Sequence, residues 1–304
     1  MAPKYKKNHF VAKSIIAQFL GAGGKVTLWD KSVSENLELR NPTSVHSVDY
    51  LYAKWAVDGT RNSEAEKALD DEVDDQSVAT IKELIESFES TGRFEVTLLQ
   101  RLFFARLLAR TFIRNPTTLN HLAALPRVRF GLFLHRISRW IERGKNADIA
   151  YERYGRERVL LGELASQAAT SNIDSFVIEI AKRGFQFCIP ENNARNFILG
   201  SQPFLINNIA SEQANSSRIV QLPDESGEFY LVLHPRIMIK VHGREDFFEP
   251  IPLDDEDMKR INGLFVKYSN SVIAVNSSDL DEVWYKEFGK ETEDDFVRVS
   301  ISQK

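Results

Sequence analysis

The chain has 304 residues and a single cysteine, Cys188. One cysteine allows no disulfide within the chain, and it excludes a zinc site built on several thiolates. Cys188 lies among large apolar residues in the stretch FQFCIP. This setting predicts a small buried side chain, because a reactive thiol needs neighbours that lower its pKa.

Long apolar runs are also missing. Nowhere do eighteen apolar residues follow one another without a charge, and the opening MAPKYKKNHF lacks the apolar core of a secretion signal. We therefore expect a cytoplasmic protein with no membrane partner. The net charge of −4 provides no overall attraction to nucleic acid or to a membrane, although a local basic patch remains compatible with it. The sequence has no Walker loop, no dinucleotide fingerprint and no HExxH motif.

The order of helical and extended patterns predicts an α+β protein, with a helix-rich central bundle and mixed strands at the N-terminus and in the last third. Strand patterns occupy 26–30 and 229–241, and helical patterns occupy about 95–114, 126–143, 149–169, 173–186, 255–268 and 278–287. We expect one domain over 1–304, loosely divided into an N-terminal strand and loop region at 1–62, a helical region at 63–188, an α/β region at 189–289 and a tail at 290–304.

Several short motifs, taken in their order and spacing, resemble the family catalogued as domain of unknown function 4238. They are His9-Phe10, Trp29-Asp30-Lys31, Asn41-Pro42, the DYLY segment 49–52, the acidic helix around 66–74, RTFIRNP at 110–116, Ser201-Gln202-Pro203 and His234-Pro235-Arg236. The resemblance implies a shared fold and no particular reaction. The chain departs from the family pattern at Ala12-Lys13, where a proline is usual, and at Gln202, where an aspartate is usual. If that aspartate is catalytic in relatives, this protein is altered or inactive.

Two charged ridges stand out in the helical region. Arg106, Arg110 and Arg114 recur every four residues on an otherwise apolar helix, and Glu66, Asp70 and Asp74 recur in the same way before it. Consecutive helices pack antiparallel, and buried arginines need partners, so we expect the ridges to face each other. They form either a structural pairing or a polar pocket. In such a pocket an arginine binds an anion, or the three carboxylates bind a metal ion.

His9, Ser201 and Arg110 are the candidate catalytic residues. Joined with the acidic ridge, they suggest an enzyme acting on nucleic acid, such as a nuclease in bacterial defence or in a toxin. Oxygen ligands would then favour magnesium or manganese. Ser201 lacks the second glycine of a serine-hydrolase turn. For His9, the alternative is a hydrogen-bonded structural histidine.

A basic segment is the third candidate. Between Arg101 and Arg158, twelve arginines and one lysine stand against four acids, whereas ten acids stand against two lysines at 64–89. Arg129, Arg136, Arg139 and Arg143 share one side of the 126–143 helix, opposite an apolar side, and we expect all four to point outward. They either pair with the acidic helix or with Glu142, or they bind nucleic acid, in which case the protein is a non-catalytic binding module.

Overall fold

A computed structural model describes residues 7–32, 36–49, 51–69, 75–144, 147–191, 195–207, 228–243 and 249–280. It confirms the α+β class, with mixed sheets beside a large helical part. None of the helices in these ranges is both long and apolar enough to cross a bilayer.

The first part of the chain is made of short elements. They are strand β1 (Lys7–His9), helix α1 (Lys13–Gln18), and strands β2 (Val26–Asp30), β3 (Glu38–Arg40), β4 (Ser47–Asp49), β5 (Lys54–Trp55) and β6 (Arg61–Asn62). The predicted strand at 26–30 is therefore confirmed as β2.

Helices dominate the centre. They are α2 (Glu64–Leu69), α3 (Asp75–Thr91), α4 (Leu98–Arg114), α5 (Pro116–Ala124), α6 (Pro126–Arg143), α7 (Ile149–Tyr154), α8 (Arg156–Thr170) and α9 (Asp174–Ala181). Helix α4 begins at a capping box, in which the Thr97 hydroxyl accepts from the Gln100 amide and the Gln100 side chain accepts from the Thr97 amide. It ends at Asn115, whose side chain accepts from the Thr117 amide and so starts α5.

The last part alternates strands with one long helix. Its elements are β7 (Gly184–Pro190), β8 (Leu199–Gly200), β9 (Phe204–Asn207), β10 (Glu228–His234), β11 (Ile237–His242), β12 (Ile251–Leu253), α10 (Asp255–Tyr268) and β13 (Ser271–Ala274). The predicted helix at 173–186 is partly wrong, because α9 stops at Ala181 and Gly184 opens β7. The apolar, aromatic run GFQFCIP is better suited to a buried strand. The predicted helix at 278–287 falls mainly outside the described residues.

Two larger sheets organise these strands. One has the order β12-β7-β11-β10-β9, with β12 parallel to β7 and the other pairs antiparallel. The other has the order β3-β2-β13-β8 and is antiparallel throughout. Val272 of β13 lies opposite Trp29 of β2 on one side and Gly200 of β8 on the other. The N-terminal and C-terminal strand regions therefore share a sheet.

The apolar core joins the helices to the sheets. Phe94 stacks on Phe187 of β7 with ring centroids 4.4 Å apart, and Phe104 of α4 meets the same ring edge-on at 6.2 Å. All three rings are buried. This packing fixes α4 against the five-stranded sheet, so the C-terminal end of α4 has a defined position relative to the N-terminal strands.

Candidate functional site

The N-terminal histidine motif lies in a buried polar junction. Strand β1 pairs with β4, and the Phe10 amide donates to the His46 carbonyl over 3.1 Å. The His9 and His46 side chains are both buried, each 5% exposed. His46 has a left-handed backbone with φ of 47°, which is uncommon for a residue other than glycine. This conformation turns the chain just before β4.

Burial controls the chemistry of His46. Removal from water and, to a smaller extent, the nearby His9 together lower its pKa to about 3, although the Ser271 main chain opposes the shift. The imidazole is therefore neutral at physiological pH. A neutral imidazole can donate one hydrogen bond and accept another, but it cannot serve as a cation.

The end of α4 connects to the same junction. Arg114 is buried, and its Nε donates to the Phe10 carbonyl over 3.2 Å. The Tyr52 hydroxyl donates to the Arg114 carbonyl over 3.2 Å, and the Tyr52 amide donates to Asn8 Oδ1 over 3.1 Å. The arginine and the tyrosine thus attach α4 to the N-terminal segment through main-chain groups.

The predicted Ser201 site contacts Asn115, the residue that follows Arg114. Asn115 Nδ2 donates to the Ser201 carbonyl over 2.9 Å, and the Ser201 amide donates to the Ser271 carbonyl over 2.7 Å. The Ser201 Oγ accepts from the Asn270 amide at 3.0 Å and from the Ser271 amide at 3.3 Å. This hydroxyl therefore holds the β8–β9 turn against the start of β13. A nucleophilic role for it stays a prediction.

The end of α4 accordingly links the His9 motif to Ser201, because Arg114 donates to the Phe10 carbonyl and Asn115 donates to the Ser201 carbonyl. The participation of His46 could not be predicted, because a lone histidine in a turn has no helical or strand pattern to place it.

The arginine ridge is only partly accessible. Arg110 is buried, and its Nη1 donates to the Ser171 carbonyl at the end of α8 over 3.2 Å. Arg106 is more exposed and pairs with Asp174 at 3.6 Å. Arg110 is buried as predicted, and the partner shown for it lies at the end of α8. Asp70 and Asp74 lie outside the described residues, so the contact between the two ridges stays a prediction.

The predicted metal site also lies mostly outside the described residues. Of its three expected ligands only Glu66 is described, and it is buried in α2. Within the ranges that the structure describes, no group of three or more histidine, cysteine, aspartate or glutamate side chains is placed to hold a metal ion. Binding of magnesium or manganese at Glu66, Asp70 and Asp74 stays a prediction.

The four arginines predicted to point outward from α6 do so only in part. Arg129 and Arg136 are exposed and Arg143 is half-buried, but Arg139 is only 3% exposed. Its Nε and Nη2 donate to the two carboxylate oxygens of Asp148 at 2.9 and 2.7 Å. Its Nη1 donates to the Trp55 carbonyl, and its guanidinium lies 4.7 Å from the centroid of the Tyr151 ring. The expectation that all four arginines point outward is wrong for Arg139.

The reason is that α6 turns its apolar side to solvent and not to the core. Phe133 and Trp140 are 52% and 64% exposed, and four further apolar residues share that outward side: Phe130, Leu134, Ile137 and Ile141. Arg139 occupies the inner side of the helix beside the partly buried Val128 and Leu132.

Asp148, the buried partner of Arg139, was not identified from the sequence. Burial on its own raises the pKa of its carboxyl, but hydrogen bonds from Arg139 and from the Tyr151 amide outweigh burial and lower it. Its Oδ1 also caps α7 by accepting from the Tyr151 amide at 3.1 Å. An aspartate directly before a helix is typical of an N-cap, so this role of Asp148 could have been predicted from the sequence. The ion pair could not, because it depends on how α6 and α7 pack.

Comparison with known proteins identifies the family of this chain. No curated protein and no solved structure matches the chain. Residues 7–279 match the sequence model of the family described as "Protein of unknown function (DUF4238)". This range contains the histidine motif, the buried junction and α6. The chain therefore belongs to the DUF4238 family, as the motifs of its sequence indicated.

Proposed function

We propose that this protein is a non-catalytic binding module that engages an anionic partner through helix α6. The observation that carries the proposal is the outward apolar side of α6, with arginines along its edges. We call this the α6 surface. It comprises Phe130, Phe133, Leu134, Ile137, Trp140 and Ile141, with Arg127, Arg129, Arg136 and Arg143 at its rim.

Surface apolar residues are ordinary when they are scattered singly, but six large ones on one side of one helix form a contiguous patch. Such patches mark places where a protein meets a partner. Here the patch belongs to a helix whose opposite side is fixed by a buried ion pair. The exposure of the patch is therefore a consequence of how α6 is held.

The charge of the rim indicates the chemistry of the partner. Helix α6 carries five arginines against one acid, Glu142, although the whole chain has a net charge of −4. Among the residues that the structure describes, none pairs ionically with Arg127, Arg129, Arg136 or Arg143. Exposed guanidinium groups that form no ion pair attract phosphate and carboxylate groups.

Binding is favoured over catalysis because two of the three candidate catalytic groups, Ser201 and Arg110, are used in holding the fold. The Ser201 hydroxyl accepts two main-chain amides, and Arg110 donates to a main-chain carbonyl. The His46 imidazole beside His9 is neutral, since its pKa lies near 3. A nucleic-acid-acting enzyme with His9, Ser201 and Arg110 at its site stays a prediction, as does its use of magnesium or manganese.

Retention on an immobilised polyanion, such as a dextran sulfate resin, tests the proposal. Arg129→Gln/Arg136→Gln should elute at clearly lower salt than the wild type, because two rim charges are lost. Arg93→Gln/Arg260→Gln removes two exposed arginines that each already pair with an acid, Glu249 and Asp257. This control should elute close to the wild type. Equal elution of the rim variant and the control would contradict the proposal.

A further inference from the structure

We propose that the partner of the α6 surface is a lipid bilayer with anionic headgroups, and that α6 lies along its surface. This inference rests on the proposed function, since it names the partner of the same surface. The features that carry it are the angular arrangement of apolar and charged side chains on α6, the way the helix is held, and the fit of each possible partner to both.

The arrangement follows from the rotation of about 100° per residue in an α-helix. The six apolar residues of the α6 surface then span an arc of about 120°. Arg129 and Arg136 lie about 80° to 100° to one side of the centre of this arc, and Arg127 lies about 80° to the other side. A helix with its apolar arc buried in the acyl region therefore holds these arginines at the depth of the headgroups on both sides.

The orientation of α6 is fixed by the protein. Arg139 lies about 160° from the centre of the apolar arc by the same rotation, and it forms the buried pair with Asp148. Turning the apolar arc inward would carry this guanidinium into solvent and leave the Asp148 carboxylate buried without its partner. Breaking such a pair is costly, so the outward orientation is kept in the free protein.

A bilayer fits this surface better than nucleic acid does. A nucleic acid can meet the arginines on one edge of the arc, but it offers no apolar region for Phe133, Ile137 and Trp140. Those side chains would lie beside phosphates and water. Trp140 lies near the edge of the arc beside Arg136, and tryptophan favours the boundary between headgroups and acyl chains.

A second copy of the chain fits less well for a different reason. In a twofold symmetric contact the same patch meets itself. Two antiparallel α6 helices would then bring the edge with Arg129 and Arg136 against the same edge of the other copy, with like charges facing each other. Anionic headgroups would instead neutralise both edges.

Surface binding does not require a spanning helix. Helix α6 has 18 residues and five arginines, and it does not qualify as a membrane span. The sequence-based expectation of no membrane partner rested on the absence of such a span and on the net charge of −4. It did not address a helix that lies in the plane of the interface, for which a wide apolar side and a basic polar side are typical.

Co-sedimentation of the full chain with phospholipid vesicles tests the inference. We expect binding to vesicles of phosphatidylcholine with about one third phosphatidylglycerol, weakening as salt rises, and little binding to pure phosphatidylcholine. Arg129→Gln/Arg136→Gln should weaken binding by about thirtyfold. Each arginine near an anionic surface contributes about 1 kcal/mol, and about 1.4 kcal/mol corresponds to a tenfold change in affinity.

The apolar contribution needs its own variant. Phe133→Ser/Trp140→Ser should abolish measurable vesicle binding while leaving the melting temperature unchanged, because both side chains are exposed in the free protein. Leu98→Ser/Leu99→Ser is the matched control, since these leucines are exposed on α4 and should not alter binding.

The outcomes separate this inference from the proposed function. If duplex DNA binds through Arg129 and Arg136 and vesicles do not bind, the bilayer inference is overturned and the proposed binding of an anionic partner is supported. A dimer in light scattering that Phe133→Ser/Trp140→Ser dissociates, again without vesicle binding, overturns the bilayer in favour of a second copy. Failure to bind vesicles, DNA and the polyanion resin overturns both proposals.

Discussion

The buried pair between Arg139 and Asp148 determines which side of α6 faces solvent, so its energy can be tested directly. Both side chains are almost fully buried, and the carboxylate receives two guanidinium hydrogen bonds of 2.9 and 2.7 Å. Asp148→Asn retains an oxygen that can cap α7 but removes the negative charge. We expect it to lower the free energy of unfolding by about 3 kcal/mol, as for other buried pairs that lose one partner.

The capping role of Asp148 must be separated from the pairing role. Asp148→Ala removes both, and it should cost about 1 kcal/mol more than Asp148→Asn. Arg139→Met/Asp148→Asn removes both charges, and we expect it to be less destabilising than the sum of the two single variants, because no charge is then buried alone. Urea unfolding followed by circular dichroism gives each free energy by linear extrapolation.

An exposed ion pair provides the control. Asp174 pairs with Arg106 at 3.6 Å, with both side chains largely in solvent. Asp174→Asn should change the free energy of unfolding by no more than about 1 kcal/mol. If Asp148→Asn costs as little as Asp174→Asn, the pair does not hold α6, and the argument for a fixed outward apolar side fails.

Three further predictions concern the buried junction and the cysteine. Because burial lowers the pKa of His46 to about 3, the unfolded chain binds a proton that the folded chain does not. Stability should therefore fall as pH drops from about 6.5 toward 3, by up to about 1.4 kcal/mol per pH unit, and His46→Asn should flatten this slope in urea titrations. Ser201→Ala leaves two main-chain amides without their acceptor and should cost about 1–3 kcal/mol, whereas an unchanged melting temperature would deny Ser201 its structural role. Burial raises the pKa of the Cys188 thiol to about 12, so Ellman's reagent should react with it only after unfolding, and rapid reaction of the native protein would contradict its burial.

The sequence predicted elements whose signals are local. Helix α4 was recognisable from its apolar residues and from the Asn115-Pro116 stop, and α6 from Pro126 and its amphipathic pattern. Strand β2 was clear from its β-branched alternation. In each case the residues that decide the structure lie within a few positions of one another.

The orientation of α6 could not be predicted in the same way. An amphipathic pattern indicates that one side of a helix is apolar and the other polar, and the apolar side usually faces the core. Here two contacts of Arg139 hold the helix the other way round, one to Asp148 on the next helix and one to the Trp55 carbonyl, which is distant in sequence. The meeting of His9 with His46 likewise depends on the pairing of β1 with β4.

The most direct test of the central claim measures whether the apolar side of α6 is open in the free protein. In a Cys188→Ala background, Ile137→Cys places one thiol in the middle of that side, and Ser90→Cys places one on the exposed part of α3. We predict that both thiols react with an iodoacetamide dye at similar rates in the native protein. The label at position 137, but not at position 90, should then shift its emission to the blue on addition of anionic vesicles. A thiol at position 137 that reacts only after unfolding would contradict the account.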